Sequence, residues 1–239
     1  MTMTSMTSMK SSHATVTAFL RITLVLGLMI PWAFSWSTPA KTYNYFAIGS
    51  NMLPATMTAL RGIQPLNASA GILPDYQLAF NIAGSPRIEP SAASARPAVG
   101  ECLHGVLYEL SEADFARVGS TEGIPFVYRW EPCHVIPYTG NEESAGQEAI
   151  LAQAEENSSV LAYTLTSTNP NTPTFIPTSP SYLRILQQGA AYWKMDRAYQ
   201  NQLSETPMAK NLIFGDGLSG CLLEAAELGV KVRKIFGIV

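Results

Sequence analysis

The chain has 239 residues, is 47% hydrophobic and carries a formal net charge of −3. That length and apolar content fit one domain of ordinary size with extensions, and the slight acidity excludes the basic footprint of a nucleic-acid-binding protein. Cys102, Cys133 and Cys221 are odd in number, far apart and without a C-x-x-C spacing, and His13, His104 and His134 are equally scattered. Neither a disulfide framework nor a metal centre is indicated, and no cofactor is expected.

The first residues differ in kind from the rest. No Asp or Glu precedes Asp75, Ser, Thr and Met dominate as far as Thr17, and Lys10 and Arg21 stand ahead of the apolar run Ile22–Ile30, which Pro31 closes. That run is shorter than the roughly 20 residues of a membrane span. Residues 1–41 therefore read as a targeting leader, for the secretory pathway or for a plastid, with an uncleaved anchoring helix as the alternative. Only such an uncleaved leader would bring the chain to a membrane.

Tyr43 to Ile48 is rich in aromatic and β-branched residues and reads as a strand that runs into Gly49-Ser50-Asn51. Glycine frees the backbone at such a turn, and a positive φ is expected at Gly49 so that successive amides converge on one point. Pro54 to Arg61 predicts a short helix with proline in its first turn. Ile72 to Asn81 predicts a strand, and Gly84 to Gly100, rich in Pro, Ala and Ser, a surface loop. Cys102 to Leu110 is the next strand. Ser111, three residues before Asp114, predicts a capped helix that stops at Gly119, with Ser120 to Gly123 as a tight connection.

Phe126 to Tyr138 predicts a long strand that Pro132 makes bulged or an edge. Asn141 to Asn157 reads as a polar loop or marginal helix, and Val160 to Thr166 as a further strand. Asn169 to Pro180 is extended, after which Ser179-Pro180 opens a helix with Tyr182, Ile185, Leu186 and Gly189 on one face. A second helix is expected over about Trp193 to Leu203 and a short one over Leu222 to Leu228. Residues 42–205 form the expected domain and 206–239 a C-terminal extension, either packed or poorly ordered.

Several short motifs follow one another in order: Tyr-Phe-Ala-Ile-Gly-Ser-Asn-Met at 45–52, Leu-Ala-Phe-Asn at 78–81, His-Gly-Val-Leu-Tyr-Glu-Leu at 104–110, Glu-Gly at 122–123, Ala-Tyr at 162–163, and Pro-Ser-x-Tyr-Leu from 180. This order resembles the γ-glutamylcyclotransferase-like family, which includes the plant avirulence-induced-gene-like proteins. The resemblance runs from about Tyr43 to Tyr199. It implies an α+β fold, a small mixed β-barrel with helices packed outside. It also implies release of 5-oxoproline from a γ-glutamyl peptide or γ-glutamyl amine, as in glutathione metabolism, by cyclisation within the substrate. By the same resemblance Glu122 is the general acid/base, Ile48, Gly49, Ser50 and Asn51 form the substrate loop, and Tyr182 closes on the substrate. Tyr45 and Tyr128, from the motifs beside these, complete the candidate substrate-binding set. Ile48 stands where the family commonly has tyrosine, which puts substrate preference in question more than the reaction.

The chemistry suits those residue types. A γ-glutamyl compound carries its nucleophile and its electrophile in one molecule, so folding it into the cyclising conformer supplies proximity worth about 7–11 kcal/mol. A carboxylate that carries the proton from α-ammonium to leaving amine adds about 10²–10⁴ in rate. The rival reading is a binding or stress-interaction protein that keeps the fold and loses turnover; Ile48 favours it, and intact Gly49-Ser50-Asn51 with Glu122 opposes it.

Overall fold

A computed structural model describes residues 40–139, 151 and 159–235. The leader expected over residues 1–41 and the polar stretch of residues 141–157 lie, except for Ala40, Lys41 and Leu151, outside the described residues. Five strands close a barrel: β1 (Thr42–Ala47), β2 (Asn67–Ser85), β3 (Glu89–Ser111), β4 (Tyr128–Tyr138) and β5 (Val160–Ser167), in the spatial order β1-β3-β2-β4-β5. Neighbours run antiparallel except β1 and β5, which meet in parallel at Tyr45 and Tyr163. Helices α1 (Glu112–Thr121), α2 (Pro180–Tyr192), α3 (Arg197–Glu205) and α4 (Leu218–Ile235) complete the described chain. None of the described helices is long and apolar enough to cross a membrane.

The barrel interior is organised around Phe46, which is fully buried. Two glycines make room for its ring: Gly71 and Gly105 pair across β2 and β3. A Cβ on Gly105 would lie 2.7 Å from that ring and one on Gly71 3.2 Å from it. Burying a phenylalanine stabilises by roughly 1.5–3 kcal/mol, and here that burial depends on the two missing side chains.

Residues 84–100 are not the expected loop. They turn at Pro86–Ile88 and return as the first half of β3, with Ala93 opposite Phe80 and Ala95 opposite Leu78. Ala93, Ser94 and Ala95 are buried, so small side chains carry a strand that residue propensity disfavours; close packing against neighbours overrides it. The hairpin is irregular where Asp75 takes a φ of 59° and its carboxylate accepts a 2.9 Å bond from the Gly100 amide.

Other boundaries move for physical reasons. Helix α1 passes through Gly119 and ends with Glu122 as its C-cap. Pro132 sits in register opposite Tyr163 without a bulge; β4 pairs with β2 only through Ile136–Tyr138, leaving a free side where a residue lacking N–H is tolerated. Helix α3 begins at Arg197, because the Asp196 carboxylate accepts from the amides of Ala198 and Tyr199 at 2.8 and 3.2 Å and so caps the helix there. Ser179 caps α2 as expected, its hydroxyl accepting from the Tyr182 amide at 3.0 Å. The final helix spans 18 residues rather than a short segment. It packs on α2, where Gly220 brings its backbone against Ser181.

Candidate active site

The chain leaves β1 through Gly49 into a 3₁₀ turn, Ser50–Met52, closed by the Met52 amide donating to the Gly49 carbonyl at 3.0 Å. Two donors hold the carbonyls on its far side. The Tyr108 phenol reaches those of Asn51 and Met52 at 3.1 and 3.4 Å, and the Trp193 indole N–H reaches that of Met52 at 2.8 Å. Gly49 has a φ of −115°, so the expected positive φ is absent. Glycine is needed there for space instead, since a Cβ would come within 2.9 Å of the Tyr182 phenolic oxygen.

A helical turn over Thr56–Leu60 brings Arg61 back beneath the loop. Its Nε donates to Asn51 Oδ1 at 2.6 Å, Nη1 to Thr121 Oγ1 at 2.5 Å and Nη2 to Glu122 Oε1 at 2.5 Å. Because arginine only donates, the Asn51 amide must turn its Nδ2 the other way. There it donates to Tyr45 Oη and to Glu122 Oε1, both at 2.8 Å. The side chains of Arg61 and Glu122 are 11% and 14% exposed, so the ion pair sits largely out of water and the arginine balances a charge that would otherwise be costly to bury. Both bonds to the carboxylate fall on Oε1; among the described residues none reaches Oε2.

Glu122 is placed by α1, and an aromatic stack places α1. Phe115 lies between Trp130 and Tyr43, with ring centroids 4.3 and 4.6 Å apart and near-parallel planes. Such stacks contribute about 0.5–1.5 kcal/mol beyond their area and fix the helix end against β1 and β4.

A cavity of about 210 Å³ opens onto this cluster, lined by Tyr45, Ile48, Gly49, Ser50, Asn51 and Arg61 on one side. Glu122, Tyr128 and Tyr182 line it as well, with Glu89, Ala93 and Ser219. All eight residues singled out in the sequence meet there: Glu122, Tyr45, Ile48, Gly49, Ser50, Asn51, Tyr128 and Tyr182. Tyr128 donates to the Ala93 carbonyl at 2.9 Å, and Tyr182 accepts from the Ala93 amide at 3.1 Å. Burial, reinforced by the Glu122 carboxylate, pushes the phenols of Tyr45 and Tyr182 well above their usual range. Burial does the same at Tyr128. All three are therefore protonated hydrogen-bonding groups at neutral pH. A larger groove of about 590 Å³ between α2 and α4 holds Arg184, Glu224 and Glu227, but it lacks the converging network of the smaller cavity.

The residues that sequence reasoning missed are Arg61, Glu89, Ala93 and Ser219. Arg61 did leave a signal, being the sole charged residue between Lys41 and Asp75. Glu89 and Ser219 left none, because they meet across 130 residues.

No family model matches the chain. The sequence is 25% identical over 154 residues to the γ-glutamyl cyclotransferase gliK of Claviceps purpurea, covering 62% of this chain and 63% of that protein. It is 27% identical over 183 residues to the γ-glutamyl cyclotransferase gliK of Aspergillus fumigatus, covering 68% and 62%. The chain thus spans less than two thirds of the length of these curated relatives. A solved structure of a γ-glutamyl cyclotransferase superposes with a TM-score of 0.59 at 19% identity, covering 79% of this chain and 100% of that one. At that identity the likeness establishes the fold, a mixed barrel with helices packed outside.

Proposed function

We propose that this chain, which belongs to the γ-glutamylcyclotransferase-like family, releases 5-oxoproline from a γ-glutamyl peptide or γ-glutamyl amine. The observation that carries the reading is the arrangement at Glu122. Asn51 and Arg61 fix the carboxylate through Oε1, which leaves Oε2 for a proton of the substrate. In the proposed reaction Glu122 takes a proton from the α-ammonium, and the freed amine attacks the γ-carbonyl carbon to form the ring C–N bond. As the old C–N bond breaks, Glu122 returns that proton to the departing nitrogen. It then takes the second proton from the ring nitrogen and passes it on, so that the products are the neutral lactam and the departing amine as its ammonium. No side chain becomes covalently attached. The narrow cavity holds the folded conformer, which is where proximity of about 7–11 kcal/mol would come from. In this reading backbone amides at Gly49 and Ser50 receive the oxyanion or the α-carboxylate.

Ile48 supports a second reading, a binding protein on the same fold. It lines the cavity with 3% exposure and offers no hydrogen bond where a phenol is usual in the family. Incubating the purified protein with γ-glutamyl amino acids, glutathione and γ-glutamyl-ε-lysine, and measuring 5-oxoproline, separates the two. Product from any of them supports the enzyme. Binding without product from all of them supports the second reading.

A further inference from the structure

Glu89 is a second carboxylate in the wall of the same cavity, at the start of β3. Its Oε2 accepts two bonds from Ser219 at the start of α4, 3.1 Å from the backbone amide and 2.6 Å from the hydroxyl. Its Oε1 is buried and finds no partner among the described residues. A buried carboxylate oxygen is a strong acceptor, and native structures seldom leave one idle without a functional reason.

The charge of the wall points the same way. Three lining residues are charged, Glu89, Glu122 and Arg61, and Arg61 is already committed to Glu122. The cavity is therefore one negative charge in excess, and that excess sits on Glu89. Glu89 shares no hydrogen bond with the Asn51–Arg61–Glu122 cluster, so a ligand can engage the two carboxylates separately. Ser219 fixes the carboxylate through Oε2 and leaves Oε1 as its one uncommitted acceptor.

From this geometry we infer that Glu89 is the acceptor for an ammonium group of the γ-glutamyl ligand, making it a specificity-determining residue and making α4 part of the site. The inference rests on the cyclotransferase reading above. The ammonium comes either from the α-position of the γ-glutamyl head or from a cationic leaving group, and the same carboxylate chemistry serves both.

Three compounds tell the sources apart: γ-glutamyl-alanine, N-glutaryl-alanine, which lacks the α-ammonium and cannot cyclise, and γ-glutamyl-ε-lysine. KM and kcat are measured for the first and third and an inhibition constant for the second, on wild type and Glu89→Gln. Glutamine still accepts from Ser219, so the attachment of α4 is kept. The expected result is a rise in KM of about tenfold or more for γ-glutamyl-alanine, with kcat within about threefold and the glutaryl inhibition constant unchanged. A rise confined to γ-glutamyl-ε-lysine assigns the ammonium to the leaving group. Equal weakening of all three, or no change in any, overturns the inference. Glu89→Asp keeps the charge but withdraws it by one methylene, so its KM should fall between wild type and Glu89→Gln; it also serves if the glutamine variant fails to fold. Absence of 5-oxoproline with wild type overturns the enzyme reading instead. Dissociation constants for the same three compounds, by calorimetry, then replace KM, with the same pattern required of Glu89→Gln and loss of all binding counted against the inference.

Discussion

Asn51 and Glu122, 71 residues apart in the chain, meet through a 2.8 Å hydrogen bond from Nδ2 to Oε1. Arg61 binds both of them, so the loop carrying Asn51, the turn after it and the end of α1 are held as one unit.

Glu122→Gln keeps the reach of the side chain and a carbonyl oxygen for Asn51 and Arg61, yet it cannot carry a proton between amine and leaving group. With 5-oxoproline as readout, kcat should fall by roughly 10²–10⁴ while KM changes little. Turnover within about threefold of wild type by a folded variant would rule Glu122 out as the proton carrier.

Arg61→Met removes the partner of a largely buried carboxylate. Breaking such a pair from one side is destabilising by about 3–5 kcal/mol when fully buried, and the 11% and 14% exposures place this pair near the lower end. Urea unfolding should show that loss. The double variant Arg61→Met/Glu122→Gln should recover part of it, since the stranded charge is then gone. Additive losses would mean that the two side chains are not energetically coupled.

Gly49→Ala tests the spatial role of the glycine. The new methyl group lies 2.9 Å from the Tyr182 oxygen, so the phenol must shift from the Ala93 amide it accepts from at 3.1 Å. A loss of about 1–3 kcal/mol is expected from the overpacking, together with a fall in activity. Tyr182→Phe removes the colliding atom, so the double variant should be more stable than the sum of the two singles. A Gly49→Ala protein as stable and active as wild type would refute the steric account.

His104 gives the fold a pH dependence. It is buried between the Tyr199 ring, stacked at 4.9 Å, and the Tyr138 hydroxyl, 2.9 Å from Nδ1. Burial lowers its pKa to about 4, with Asp196 opposing the shift. A folded value below the unfolded one of about 6.5 means that the unfolded chain binds the proton better. The contribution is complete above about pH 6.5 and is lost as pH falls from there towards 4, by at most roughly 3 kcal/mol. Denaturant midpoints measured between pH 7 and 4.5 should fall, and His104→Gln should flatten that slope. An equally steep decline in the variant would assign it to carboxylates.

The loop and its carboxylate were legible because each is a short local pattern, a strand ending in Gly49-Ser50-Asn51 and a Glu-Gly pair behind a capped helix. The first half of β3 was not, since Ala92 to Ala95 carry no alternation of polar and large apolar residues; their burial comes from Phe80 and Leu78 across the hairpin. Arg61 was visible as a lone charge but had no assignable partner until the helical turn folded it back. The start of α3 was misplaced because Trp193 and Met195 continue an apolar pattern through a turn that the Asp196 cap then resets.

The seating of Ser219 on Glu89 also bears on the order in which the protein is made. Ser219 lines the cavity from late in the chain, while the Gly49–Asn51 loop and Glu122 belong to the first 122 residues. A polypeptide that stopped between Tyr199 and Ser219 would carry every motif read from the sequence and still lack the Ser219 contact that seats Glu89. A product shortened before Ser219 would be a poor guide to the chemistry at Glu89.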